Sequence, residues 1–167
     1  MQGRFHPVRA RALGSSGLAA AGTVHVGGTR AAMAEAENLV AAGRHPKKPY
    51  VLVAQPSIVD PGRAPVGRHI LWSYCHVPKG STTDMAEAVM SRIEEFAPGF
   101  RDVVVGWKTT TAAGLAGYNA NYLGGDFSAG VMDIRGLVQR PVLSPVPWRT
   151  PLPGVYLCSS STPQDPE

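Results

Sequence analysis

The chain has 167 residues, of which 44% are hydrophobic and 17% charged. That length gives one domain's worth of core, and the balance excludes a globally disordered chain, a collagen and a coiled coil. No apolar run approaches the roughly 18 residues of a membrane-spanning helix. The longest convincing one is Tyr50-Val51-Leu52-Val53-Ala54.

The net charge of +4 is unevenly spread: seven of the 16 Lys and Arg residues, and only two acids, fall in residues 1–50. Nucleic-acid binding needs basic groups gathered on one face, ideally interleaved with aromatics. Here Arg4, Arg9 and Arg11 lie in a Gly/Ser-rich stretch and Lys47-Lys48 lies between two prolines, so no nucleic-acid partner is expected. Residues 1–20 read as a flexible basic lead. With no acid before Glu35, a targeting segment is the competing reading, but Ala12 to Ala21 contains no Val, Ile or Phe to build its apolar part. Cys75 and Cys158 belong to no CxxC pair, which points to a reducing, cytoplasmic compartment.

The first regular signal is Gly22-Thr23-Val24-His25-Val26, a β-prone run ended by Gly27-Gly28. Thr29 is placed to cap the helix predicted over 30–42, in which Met33, Ala36, Leu39 and Val40 form an apolar stripe and Gly43 supplies the stop. A buried strand follows at Tyr50–Ala54. The turn-rich stretch Gln55–Gly67 then makes a long hairpin loop. In the next strand, His69–His76, Ile70, Trp72 and Tyr74 share one face and Leu71, Ser73 and Cys75 the other. Asp84 and Glu87 have the spacing of a helix start, and Met85, Val89, Ile93 and Phe96 recur at helical steps until Pro98-Gly99. A last strand is expected over Asp102–Trp107. The order β-α-β-β-α-β is the split βαβ plan of an α+β domain: an antiparallel sheet with two helices on one face, over residues 21–109.

Beyond Thr109 the texture changes. Seven of the 15 prolines lie between Pro141 and Pro166, and only Val155–Cys158 reads as a late strand. Residues 110–167 are too long an irregular stretch for the tail of a compact domain, so they are expected to pack against something else.

The motifs for chemistry are sparse. The five histidines show no HxH or HExxH spacing and join no Cys/His cluster, so no metal is expected. His76 beside Cys75 is no nucleophile–base pair, because strand neighbours face opposite ways. No GxSxG, GxxxxGK[ST] or GxGxxG occurs. Gly27-Gly28 and Gly124-Gly125 suit either tight turns or close approach by a ligand. Tyr118-Asn119-Ala120-Asn121-Tyr122 offers two amides between two phenols. That is either one wall of a pocket for a planar ligand or an asparagine-rich turn.

Several strings, in order, fit one pattern. They include Gly22-Thr23-Val24-His25-Val26-Gly27-Gly28, Val51-Leu52-Val53-Ala54-Gln55-Pro56-Ser57 and Leu71-Trp72-Ser73-Tyr74-Cys75-His76-Val77-Pro78. Further on come Phe96-Ala97-Pro98-Gly99-Phe100, Tyr118 to Asp126 and Thr150 to Ser159. From about Ala21 to Thr162 the chain resembles the C-terminal, substrate-domain part of the phytoene-desaturase-like FAD-dependent oxidoreductases, in the pyridine nucleotide-disulphide oxidoreductase domain-containing protein 2 branch. The resemblance implies FAD as cofactor, a small apolar substrate that is acted on by hydride transfer to the flavin, and a Rossmann-type FAD-binding half as partner. It places Tyr118, Asn119, Asn121 and Tyr122 toward substrate, and Gly124, Gly125, Asp126, Ser160, Ser161 and Thr162 toward cofactor. No residue stands out as a catalytic acid, base or nucleophile. The dinucleotide fingerprint of full-length members is missing, and so is the glycine-rich segment that follows the Ser-Ser-Ser-Thr-Pro string. The sequence thus reads as a fragment truncated at both ends and inactive alone. The competing reading is a non-catalytic α+β module for binding or self-association.

Overall fold

A computed structural model describes residues 2–8, 21–128, 139 and 141–159. The expected element order is present. β2 (Thr23–Val26) leads into α1 (Arg30–Ala41), and β3 (Val51–Ala54) is followed by β4 (His69–Cys75). Then come α3 (Ala86–Phe96) and β5 (Val104–Thr110). Residues 2–8, part of the lead in the sequence reading, form β1 (Gln2–Val8). All pairings are antiparallel, and the sheet order is β2-β3-β4-β1-β5. The β1–β4 register shifts between Phe5 and Val8, a span that contains Pro7, which has no N–H to give to a ladder.

Register decides which side chains share a face. Val26 stands opposite Val51, and Val51 opposite Cys75; Val24, Val53 and Ser73 form the next row. These rows make the inner face, and α3 lies on it. Val89, Met90 and Ile93, with Ala97 and Phe100 beyond the helix, join Val51, Val53, Leu71 and Cys75 in one core. The expected helical stripe holds for Met85, Val89 and Ile93, whereas Phe96 is 45% exposed. Its place in the core goes to Phe100, because the chain turns back at Gly99 (φ 85°) and a short helix, α4 (Phe100–Val103), precedes the strand. The strand expected at Asp102 therefore starts at Val104 and runs on to Thr110.

Local chemistry sets the ends of the helices. The Ala32 N–H donates to Thr29 Oγ1 at 3.2 Å, the cap expected from sequence. At the other end of α1, Gly43 is left-handed (φ 75°). Its N–H donates to the Val40 carbonyl and that of Arg44 to the Leu39 carbonyl, the paired bonds of a Schellman stop. Asp84 Oδ1 accepts from Ala86 N–H at 2.8 Å, and Asp84 Oδ2 accepts from Thr109 Oγ1 at 3.0 Å, so one carboxylate ties the start of α3 to β5. Glu94 accepts from the N–H groups of Gly99 (2.6 Å) and Arg101 (2.8 Å) and so caps α4 from α3. The loop expected over Gln55–Gly67 contains α2 (Pro56–Val59) and a 3₁₀ turn at Pro61–Arg63. Buried Ser57 there accepts from the Ile70 N–H at 3.1 Å.

Two expectations follow for stability. Ser73 Oγ is buried with no hydrogen-bond partner among the described residues, so its hydroxyl loses hydration and gains nothing in return. In urea titrations Ser73→Ala should match or exceed the wild-type unfolding free energy, by up to about 1 kcal/mol, whereas Phe100→Ala should cost about 3–5 kcal/mol. The second concerns acid. The backbone N–H donors of Arg101 and Gly99 hold the Glu94 carboxyl below its ordinary value. The bidentate Arg101 guanidinium does the same to Glu87. A lowered folded-state pKa contributes stability that is complete above the unfolded-state value and is lost as pH falls through the folded one. The wild-type urea midpoint should therefore drop between pH 6 and pH 3, and Glu94→Gln should flatten that drop.

Candidate functional site

The region that the sequence singles out is built on α5 (Ala112–Tyr118). Thr111 caps it by accepting from Gly114 N–H at 3.1 Å. Ala112 and Leu115 are its buried residues, and Tyr118, at its last position, is 82% exposed. Asn119 ends the helix: its N–H donates to the Leu115 carbonyl at 3.1 Å and its Oδ1 accepts from Asn121 N–H at 3.0 Å. That is an Asx turn, the asparagine-rich turn that was one of the two readings open in sequence. Tyr122 N–H then donates to the Asn119 carbonyl, which brings the half-buried Tyr122 back over the turn.

Gly124 and Gly125 both have positive φ, 69° and 89°, and glycine is needed at each for a second reason. A Cβ on Gly125 would stand 2.5 Å from the Ala112 carbonyl oxygen and 2.6 Å from its Cα. One on Gly124 would run into the Lys79 side chain. The close approach that the two glycines permit is thus taken up by the chain's own Ala112 and Lys79. The turn is latched to the loop after β4: Gly80 N–H donates to the Gly124 carbonyl at 2.8 Å and Ala113 N–H to the Ser81 carbonyl at 3.0 Å. Ser81 Oγ also meets His45 Nε2 at 2.7 Å. Lys79 and Ser81 therefore belong to the site's framework.

Asp126 Oδ1 accepts from Ser128 N–H at 2.8 Å, and Phe127 stands edge-on to Tyr74, ring centroids 5.2 Å apart. Tyr74 also meets Trp72 (5.4 Å) and His76 (5.9 Å). An aromatic strip along the outer face of β4 thus ends beneath the 126–128 segment. Of the sequence-predicted residues, the structure brings Tyr118, Asn119, Asn121, Tyr122, Gly124, Gly125 and Asp126 together on one turn. Ser160, Ser161 and Thr162 lie outside the described residues. The late strand at 155–158 takes the form of one antiparallel bridge, Arg149–Tyr156.

Three further histidines are engaged elsewhere. His25 bonds Tyr50, His69 faces Ser57 at 3.4 Å, and His76 Nδ1 meets Glu37 at 2.7 Å. Among the described residues no group of three or more His, Cys, Asp or Glu is placed to hold a metal ion. Burial pushes the Cys75 thiol up to about 11, so at neutral pH it carries almost no thiolate and is a poor nucleophile. No described helix is long and apolar enough to cross a membrane.

Gly125→Ala should force a strained φ and a backbone clash together and cost about 1–3 kcal/mol. Tyr118→Ala should leave the unfolding free energy within about 0.5 kcal/mol of wild type, since a largely exposed side chain carries little of the fold. Parallel urea titrations of the two variants check both outcomes.

No family model matches the sequence. The chain is 30% identical over 126 residues to pyridine nucleotide-disulfide oxidoreductase domain-containing protein 2 of Rattus norvegicus. The match takes in 68% of this chain and 22% of the rat protein, so the chain spans about a fifth of its relative's length. This similarity supports a relationship with that oxidoreductase family.

Proposed function

We propose that this chain is the substrate-side part of a phytoene-desaturase-like, FAD-dependent oxidoreductase. Bound FAD would accept a hydride from a carbon of a small apolar substrate, and the protein would supply orientation and keep water out. The similarity to the rat oxidoreductase carries this reading.

The donor set defines what the chain can contribute. Space beside Gly124 and Gly125 is filled by Lys79 and Ala112, so these glycines shape the turn rather than cradle a flavin. No GxGxxG occurs in the sequence, and the described residues do not make up a pyrophosphate-binding set of the dinucleotide-fold kind. On this reading a separate Rossmann-type domain holds the cofactor. Tyr118, Asn119, Asn121 and Tyr122 would face the substrate, with flat apolar rings to pack on it and amides to fix its orientation. Asp126 would lie on the cofactor side.

A second feature supports a partner domain. Val142, Leu143, Leu152, Val155, Tyr156 and Leu157 are each at least 46% exposed, on a segment bridged between Arg149 and Tyr156. So many exposed apolar side chains close in sequence mark a surface that is covered in use.

The test is a flavin-fluorescence titration of the purified chain, alone and mixed with the part of the rat relative that lies outside the match. The expected result is no saturable quenching by the chain alone and a stable complex in the mixture, whose flavin responds to apolar substrates only when the chain is present. A chain that stays separate from the flavin domain and leaves its flavin unchanged would overturn the proposal. If it instead self-associates through the 142–157 surface, a non-catalytic module is the better description.

A further inference from the structure

The sheet has a second face, opposite the core. α3 seats on the inner face, and alternation turns Leu52, Ala54, Trp72 and Tyr74 to the outer one. Leu52 stands opposite Tyr74 and Ala54 opposite Trp72, so the four make one apolar block across β3 and β4. All four are half-buried, and Phe127 of the 126–128 segment stands edge-on to Tyr74.

The Trp72 row continues into charge. Arg4 of β1 is in register with Trp72 on one side and with Lys108 of β5 on the other. Ala54, Trp72, Arg4 and Lys108 thus follow one another across β3, β4, β1 and β5. Opposite residues of like charge destabilise an antiparallel pair, and the sheet holds no counter-charge: none of its strands contains an Asp or Glu. Lys108 is exposed and has no ion-pair partner among the described residues. Gly106, two positions back along β5, keeps the same face bare. Beyond its chain neighbours, a Cβ there would meet no described atom within 4 Å.

An apolar block that runs into a pair of cations matches a molecule with the same two parts. We propose that the outer face binds an amphipathic organic anion of the fatty-acid class, its apolar chain along Leu52, Trp72 and Tyr74 and its carboxylate in the Arg4–Lys108 row. From β3 to β5 is three strand spacings, about 14 Å, within reach of a medium-length alkyl chain. The chain removes apolar surface from water, and the carboxylate offsets the like charges through charge-assisted hydrogen bonds. A neutral hydrocarbon leaves the cations uncompensated, and an inorganic anion leaves the aromatic block wet. A bilayer is the poorer occupant, because side chains that enter one must protrude, whereas these are half-buried and end beneath Phe127. The site goes beyond the redox reading and does not rest on it, since binding needs no flavin.

The test is calorimetric titration of the full chain with dodecanoate, kept below micelle formation, and with dodecanol as its neutral counterpart. Saturable heat at one site per chain is expected for dodecanoate, with dodecanol bound about tenfold or more weakly, the scale of a lost charge-assisted contact. Lys108→Glu should weaken dodecanoate by a similar factor and leave dodecanol unchanged. Its urea midpoint should match or exceed wild type, because it relieves the opposition to Arg4, so a loss of binding is not a loss of fold. Tryptophan emission locates the ligand: the change on binding should disappear in Trp72→Phe and persist in Trp148→Phe. No saturable binding, equal affinity for acid and alcohol, wild-type dodecanoate affinity in Lys108→Glu, or an emission change that survives Trp72→Phe would each overturn the site. Binding to anionic phospholipid vesicles without binding of monomeric dodecanoate overturns it too and makes the face a membrane contact. None of these readouts involves flavin, so their failure leaves the redox reading standing, and failure of the redox reading leaves them unchanged.

Discussion

The fold depends on one packing contact, the seating of α3 on the inner face of β3 and β4. Ile93, Val51 and Val53 are fully buried, and Phe100 and Cys75 are 1% exposed. The hydrophobic gain from this single layer is the main force available to a domain of this size. The polar ties follow from it. Asp84 reaches Thr109 because α3 starts where β5 ends, and Glu94 reaches the amides of α4 because α3 stops one turn before the chain reverses at Gly99.

Much of this was legible in the sequence. Four strands and two long helices were marked by alternation, helical stripes and caps, and the Thr29 and Gly43 signals specified the two ends of α1 to within a residue. The two faces of β4 followed from period-two alternation alone. What escaped was what local pattern does not encode. β1 has neither a clean alternation nor a proline-free run, and it gains its place from the backbone groups that β4 and β5 leave to pair. Phe96 fits the helical stripe as well as Phe100 does, and only the left-handed Gly99 decides which ring goes inside.

The site was legible in part and for a similar reason. Polar residues bunched at 118–126 show that the segment is special, and the structure gathers them on one turn. Their sequence is equally good for an Asx turn, which is how the Asn119 side chain is used. The latch of Gly124 and Gly125 onto Lys79 and Ala112 involves contacts between segments some 45 residues and a helix apart. No spacing rule carries that information.

The two cysteines acquire a use from where they lie. Cys158 is exposed, and Cys75 is buried at the heart of the sheet opposite Val51. A thiol reagent in excess meets the first at once and the second only when α3 lifts off the inner face. The ratio of the two alkylation rates is thus a built-in clock for that opening. It runs on the unaltered chain, needs no added label, and reads the motion of the one contact on which every other part of the molecule rests.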